Sequence, residues 1–102
     1  MNIIDELEKY LLTEIVIDLG LDLKSIAPDD DLLSLGIIDS LAVLKLTQFI
    51  EEKFAIDIAD EDIDPENYKN LNRLEKLIES KQQVWLSYGI KKRQKYLNDN
   101  GK

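Results

Sequence analysis

Ile3, Ile4, Leu7, Leu11, Ile15 and Leu19 recur at steps of three and four over the first twenty residues. That spacing lines one face of a helix and cannot serve a strand, whose faces alternate every second residue. Asn2 can cap such a helix at its start and Gly20 can end it. A second run, Ser40 to Phe54, contains neither Gly nor Pro and follows Asp39, a good N-cap residue. Ala42, Leu46, Phe49, Ile50 and Phe54 form its expected core stripe. Leu41 and Leu44, with Lys45 and Gln48, form another stripe that is expected to be exposed and so needs a use. Asp64-Pro65 reads as the start of a short helix through about Tyr68. Asn70 or Asn72 can cap a further helix with Leu71, Leu74, Leu77 and Ile78 on its core face. Few β-branched alternations occur, so the spacing predicts an all-α fold, a small bundle.

Between the first two helices, residues 21–38 hold Pro28, three consecutive aspartates and Gly36. Those residues are poor helix interior, and a loop of that length has to be pinned by apolar side chains. Ile26, Leu32, Leu35 and Ile37 are the residues able to do it.

The chain has 102 residues with no cysteine and no histidine. That excludes disulfides, thiolate nucleophiles, Ser-His triads and zinc sites built on Cys or His. Asp60 to Asp64 imitates the start of a calcium loop, but the sixth and twelfth positions are Pro65 and Leu71 instead of Gly and Glu. Asp29, Asp30 and Asp31 have no sequence context that would tune them for acid–base work. No metal site, no catalytic residue and no enzymatic activity are therefore expected. No apolar run is long enough for a membrane span, and Met1 to Glu6 turns acidic where a signal peptide would be basic, so a cytoplasmic protein is expected.

Residues 1–80 carry 20 acids and 7 bases, a net of −13, whereas residues 81–102 carry one acid and six bases, a net of +5. The acidic part repels nucleic acid and favours encounters with basic protein surfaces.

Chemistry concentrates where the long loop meets the second helix. Leu35-Gly36-Ile37-Ile38-Asp39-Ser40-Leu41 puts a serine on the first turn of a helix, where unpaired N–H groups favour a phosphate. Without histidine, Ser40 is poorly placed to be a hydrolytic nucleophile. On these residues alone, Asp39-Ser40 could carry a phosphodiester or could be a plain helix cap.

Gly36-Ile37-Ile38-Asp39-Ser40-Leu41, followed by Leu46, Phe49-Ile50-Glu51-Glu52-Lys53-Phe54 and Ile56-Asp57-Ile58, resembles the acyl carrier and peptidyl carrier proteins. The resemblance continues through Asp60-Glu61-Asp62 and Pro65-Glu66-Asn67-Tyr68 to Leu74 and Ile78, about residues 3–80 in all. It implies a four-helix acyl-carrier-like bundle with a long first loop. It also implies phosphopantetheine, taken from coenzyme A by a phosphopantetheinyl transferase and esterified to Ser40. Acyl or aminoacyl intermediates would ride as thioesters on the thiol of that arm. The resemblance further implies a monomer whose partners are a loading ligase and downstream acyl-processing enzymes with basic surfaces, in a fatty-acid, polyketide, aminoacyl or specialised lipid pathway. Asp39, Leu41, Leu44, Lys45, Gln48, Glu51, Asp60 and Glu61 fall where such carriers meet partners, as does Asp57.

Lys45 stands where many fatty-acid carriers have an acid, which implies partners other than those of standard fatty acid synthesis. The Gly-x-Ile-Asp-Ser-Leu form looks closer to stand-alone carriers of aminoacyl, D-alanyl or specialised acyl groups. The alternative from another class is an unmodified carrier-like protein–protein interaction module.

Residues 1–80 are thus read as a carrier domain and residues 81–102 as a basic C-terminal extension. Val84, Trp85, Leu86, Tyr88, Ile90, Tyr96 and Leu97 make the extension too apolar for a solvated tail. The spacing predicts that the last helix runs past Ser80, with Val84, Trp85 and Tyr88 packed on the domain and residues 98–102 frayed. Trp85 is the chain's one tryptophan. Its emission should be blue-shifted and protected from quenchers, and a solvent-like emission would refute the packing.

Overall fold

The structure, a computed structural model, describes residues 2–82. It is an all-α bundle of three main helices, with a long first loop and a short 3-10 turn. The first main helix has three parts: α1 (Ile3–Tyr10), a π-helical segment (Leu11–Val16) and α2 (Ile17–Leu19). α3 spans Ser40–Phe54, and α4 begins at residue 71 and is described to residue 82.

Local chemistry sets the ends. Asn2 Oδ1 accepts the Asp5 N–H at 3.1 Å, and Gly20 closes the first helix at φ 70°, in the left-handed region open to glycine. Within the helix the Thr13 hydroxyl donates to the Lys9 carbonyl at 2.8 Å, competing with the backbone ladder in the π-helical stretch. The wider turn leaves Leu11, Ile15 and Val16 all in the core. Asp39 Oδ1 takes the Ala42 N–H at 2.7 Å and starts α3 at the expected residue. Ala55, at φ 55°, ends α3 in the left-handed region without a glycine. Asn70 Oδ1 accepts the Arg73 N–H at 2.8 Å, so Asn70 and not Asn72 caps α4.

The expected short helix from Asp64 to Tyr68 is absent. Residues 65–68 form turns, and the nearest regular element is the 3-10 turn Asp60–Asp62. Asp64 spends its carboxylate on the Glu66 N–H at 2.8 Å, and its carbonyl takes the N–H groups of Asn67 and Tyr68. One helical turn closes there and does not propagate, because Tyr68 is drawn into the core. The bundle therefore has three main helices where four were expected.

Leu7, Leu11, Leu32, Ile37, Leu46, Ile50, Leu71, Leu74 and Ile78 are fully buried. Of the expected α3 stripe, Ala42, Leu46 and Ile50 are buried, whereas Phe49 and Phe54 sit at the core's edge. Phe49 stacks on Tyr10 with ring centroids 4.2 Å apart. Ile26, Leu32 and Ile37 pin the long loop from inside, with Leu35 half-buried. Backbone bonds pin it from outside, from Leu32 N–H to Lys69 O at 2.8 Å and from Asn72 N–H to Pro28 O at 3.1 Å. Glu8 adds a brace by accepting the Ile26 N–H at 2.8 Å. No helix among the described residues is long and apolar enough to cross a membrane. The expectation that Val84, Trp85 and Tyr88 pack on the domain lies outside the described residues.

Leu46 is 0% exposed and Leu44 is 56% exposed on the same helix. Leu46→Ala should cost about 2–5 kcal/mol in chemical denaturation, and Leu44→Ala less than about 1 kcal/mol. Equal losses would mean that α3 is rotated from this register.

Candidate functional site

Ser40 is the first residue of α3 and is exposed. Ile37 is fully buried three residues upstream and Ala42 is buried two residues downstream, so the helix start is held on both sides. The Asp39 carboxylate is occupied by the Ala42 N–H and its carbonyl by the Val43 N–H at 2.9 Å. The first N–H groups of any α-helix lack partners inside it and lie at the positive end of the helix dipole. The Ser40 hydroxyl therefore stands in water beside a backbone that favours a negative group. Among the described residues no base that could activate it for hydrolysis is bonded to it.

A groove of about 440 Å³ opens beside Ser40, lined by Leu33, Ile38, Val43, Ile63 and Tyr68. Its floor is closed by a buried hydrogen bond between the Tyr68 and Thr47 hydroxyls, which leaves neither group orphaned. Burial pushes the Tyr68 phenol up, with the Thr47 hydrogen bond opposing it and the charges of Glu51 and Asp62 adding to it. A smaller groove, about 230 Å³, lies on the other side of the α3 start, between Leu19 and Leu41, and Asp39 borders both. Ser40 thus borders the larger furrow, and Asp39 stands between it and the smaller one.

Seven of the nine expected contact residues fall into two exposed groups. Leu41, Leu44 and Gln48 share the exposed face of α3 with Ser40 and Asp39, and Leu41 is 57% exposed. Asp60 and Glu61 are exposed on the 3-10 turn, and Asp57 is exposed just before it. The other two are already engaged within the fold. Glu51 Oε2 accepts the Ile58 N–H at 2.9 Å and braces the chain after α3. Lys45 Nζ pairs with Asp18 Oδ2 at 2.9 Å, across to α2. That hydrogen bond, and then the Asp18 charge, raise the Lys45 ammonium above its ordinary value. Asp30 and Asp31 accept backbone N–H groups of their own loop, which is turn-forming work. The groove residues Leu33, Val43 and Ile63, and the Thr47 that bonds Tyr68, carry no role that the sequence pattern assigns. Thr47 lies one position past Leu46 on the helix, and that adjacency was the one signal available.

A family model described as the phosphopantetheine attachment site matches residues 2–78 of the chain. Its members are non-catalytic carrier modules, which agrees with the expectation that the chain is no enzyme. A search of curated proteins finds no match.

The raised Tyr68 phenol makes stability depend on alkaline pH. The unfolded chain loses this proton near pH 10.0, the ordinary value, and the fold holds it longer. Its contribution is complete below about pH 10 and is lost as pH rises through the folded value. Thermal melts of the wild type should therefore fall above about pH 10. Tyr68→Phe should lessen that fall, with the remainder coming from Tyr10, whose phenol burial also raises, while lowering stability at neutral pH by about 1–3 kcal/mol, because Thr47 loses its partner.

Proposed function

We propose that this chain, which belongs to the phosphopantetheine attachment-site family, carries phosphopantetheine on Ser40 and presents acyl or aminoacyl groups to partner enzymes. The observation that carries the reading is the exposed Ser40 hydroxyl on the first turn of α3, at the mouth of an apolar groove. The residues fit the group. The helix start favours a phosphodiester, and the apolar walls of Leu33, Ile38, Val43 and Ile63 suit the methyl and methylene groups of a pantetheine arm lying along them. The bound group would supply the thiol that this cysteine-free chain lacks.

In the attachment step the Ser40 hydroxyl oxygen attacks the phosphorus of coenzyme A that bears the pantetheine. The pyrophosphate bond breaks, adenosine 3′,5′-bisphosphate leaves, and the hydroxyl proton passes to a base of the transferase. This chain's share is to hold the hydroxyl exposed on a rigid helix start. Leu41 and Leu44, with Asp39, Gln48, Asp60 and Glu61 around them, support a docking face for the transferase, a loading ligase and downstream acyl-processing enzymes. Residues 1–80 act as the carrier and residues 81–102 as an extension to it. The three-helix bundle with its turns at 65–68 works as the four-helix carrier fold does, with one helix reduced to turns.

Incubation with coenzyme A, Mg²⁺ and a broad-specificity phosphopantetheinyl transferase, read by intact mass, tests the reading. The wild type should gain one prosthetic group and Ser40→Ala none. A gain that survives Ser40→Ala overturns the assignment. No gain by the wild type favours the unmodified interaction module.

A further inference from the structure

The face beside Ser40 has an unusual charge for so acidic a protein. Residues 40–50 of α3 contain no acid and one base, Lys45, although residues 1–80 carry a net charge of −13. Lys45 lies five positions past Ser40, a rise of about 7.5 Å with a turn of about 140° around the helix axis. A separation of that order is comparable with the screening length of about 10 Å at 0.1 M salt, so a free ammonium there would act on a partner approaching Ser40. Asp18 holds it instead, from another helix, at 2.9 Å and across the furrow between Leu19 and Leu41. Tyr10, whose hydroxyl donates to the Lys45 carbonyl at 3.2 Å, and Glu14 also face it from the first helix.

We infer that Asp18 is a specificity-determining residue: by pairing with Lys45 it cancels the one positive charge on the α3 face beside Ser40, and so admits partner enzymes with basic docking surfaces. The inference rests on the carrier reading above. Charge complementarity selects the partner class, because Asp39, Glu51, Asp60 and Glu61 around this face are acidic and Lys53, the next base along α3, is itself paired with Glu6 at 3.3 Å. As a stability element the pair is worth little, since both side chains are partly in water. Its consequence lies in encounter rates. The docking surface consequently spans two helices, with Asp18 and Leu19 of the first beside Leu41 and Lys45 of α3.

The test measures initial rates of phosphopantetheine transfer to the full chain by a transferase with a basic docking surface. The variants are Asp18→Asn, Lys45→Gln, the double variant and Glu79→Gln, an exposed acid on α4 with the same charge change as Asp18→Asn. At about 0.02 M salt, Asp18→Asn should be slower than wild type by roughly threefold, and Lys45→Gln faster than wild type. The double variant should recover, Glu79→Gln should stay near wild type, and about 0.5 M salt should erase the differences. Both single variants break the same ion pair, so a merely structural role predicts equal losses for both and overturns the inference. It is equally overturned if Asp18→Asn matches wild type at low salt, or if Glu79→Gln is as slow as Asp18→Asn. A wild type that gains no mass removes the carrier reading and this inference together, whereas a modified wild type with any of those three patterns removes the inference alone.

Discussion

Burial of Leu32 and Ile37 inside a loop is the constraint on which the rest of this small protein depends. Residues 21–38 have no regular structure, yet both side chains are fully out of water. Each such burial contributes about 1.5–3 kcal/mol and offsets the entropy of ordering the backbone around it. Leu32 also donates its N–H to Lys69, so the loop is tied to the approach of α4 as well as to the core. With Ile37 fixed, Asp39 has one place to cap α3, and Ser40 follows on the first turn. The position of the Ser40 hydroxyl is thus set by two leucine-sized anchors several residues away.

Much of the negative charge is structural. Glu8, Asp30, Asp31, Asp39, Glu51, Asp62 and Asp64 all accept backbone N–H groups. In a chain with long loops and short turns, carboxylates satisfy amides that helices would otherwise pair. Asp62 also meets Lys81 in an ion pair, and that hydrogen bond, ahead of the others, holds its carboxyl below the usual range. Among the described residues, the acids that accept no such bond are therefore fewer than the sequence suggests, and include Glu52, Asp57, Asp60 and Glu61. They flank the exposed leucines of α3 and do not lie among them.

Features governed by neighbouring residues were legible in the sequence. Asn2, Gly20 and Asp39 act at the ends assigned to them because capping is a contact within three residues. The π-helical stretch was not legible, since a Thr13 hydroxyl competing with backbone carbonyls leaves the apolar spacing unchanged. The Asp64-Pro65 start signal is present but ends in turns, because Asp64 bonds Glu66 and Tyr68 goes inward to meet Thr47. Tertiary demand overrode a local propensity there. Ser40 could be singled out from its motif, whereas the groove beside it joins Leu33, Val43 and Ile63 from three segments that only folding brings together. The pairing of Asp18 with Lys45 is hidden for the same reason, since 27 residues separate them.

We propose that one hydroxyl, on the first turn of α3, takes the phosphodiester. The chain offers Ser25, Ser34, Ser80 and Ser87 as competitors, of which Ser34 is exposed on the same loop six residues away. Fragmentation mass spectrometry of the transferase-treated wild type locates the added group directly. The account predicts the full mass increment on the fragment bearing Ser40 and on no other serine. An increment found on Ser34, or divided among several serines, would contradict it.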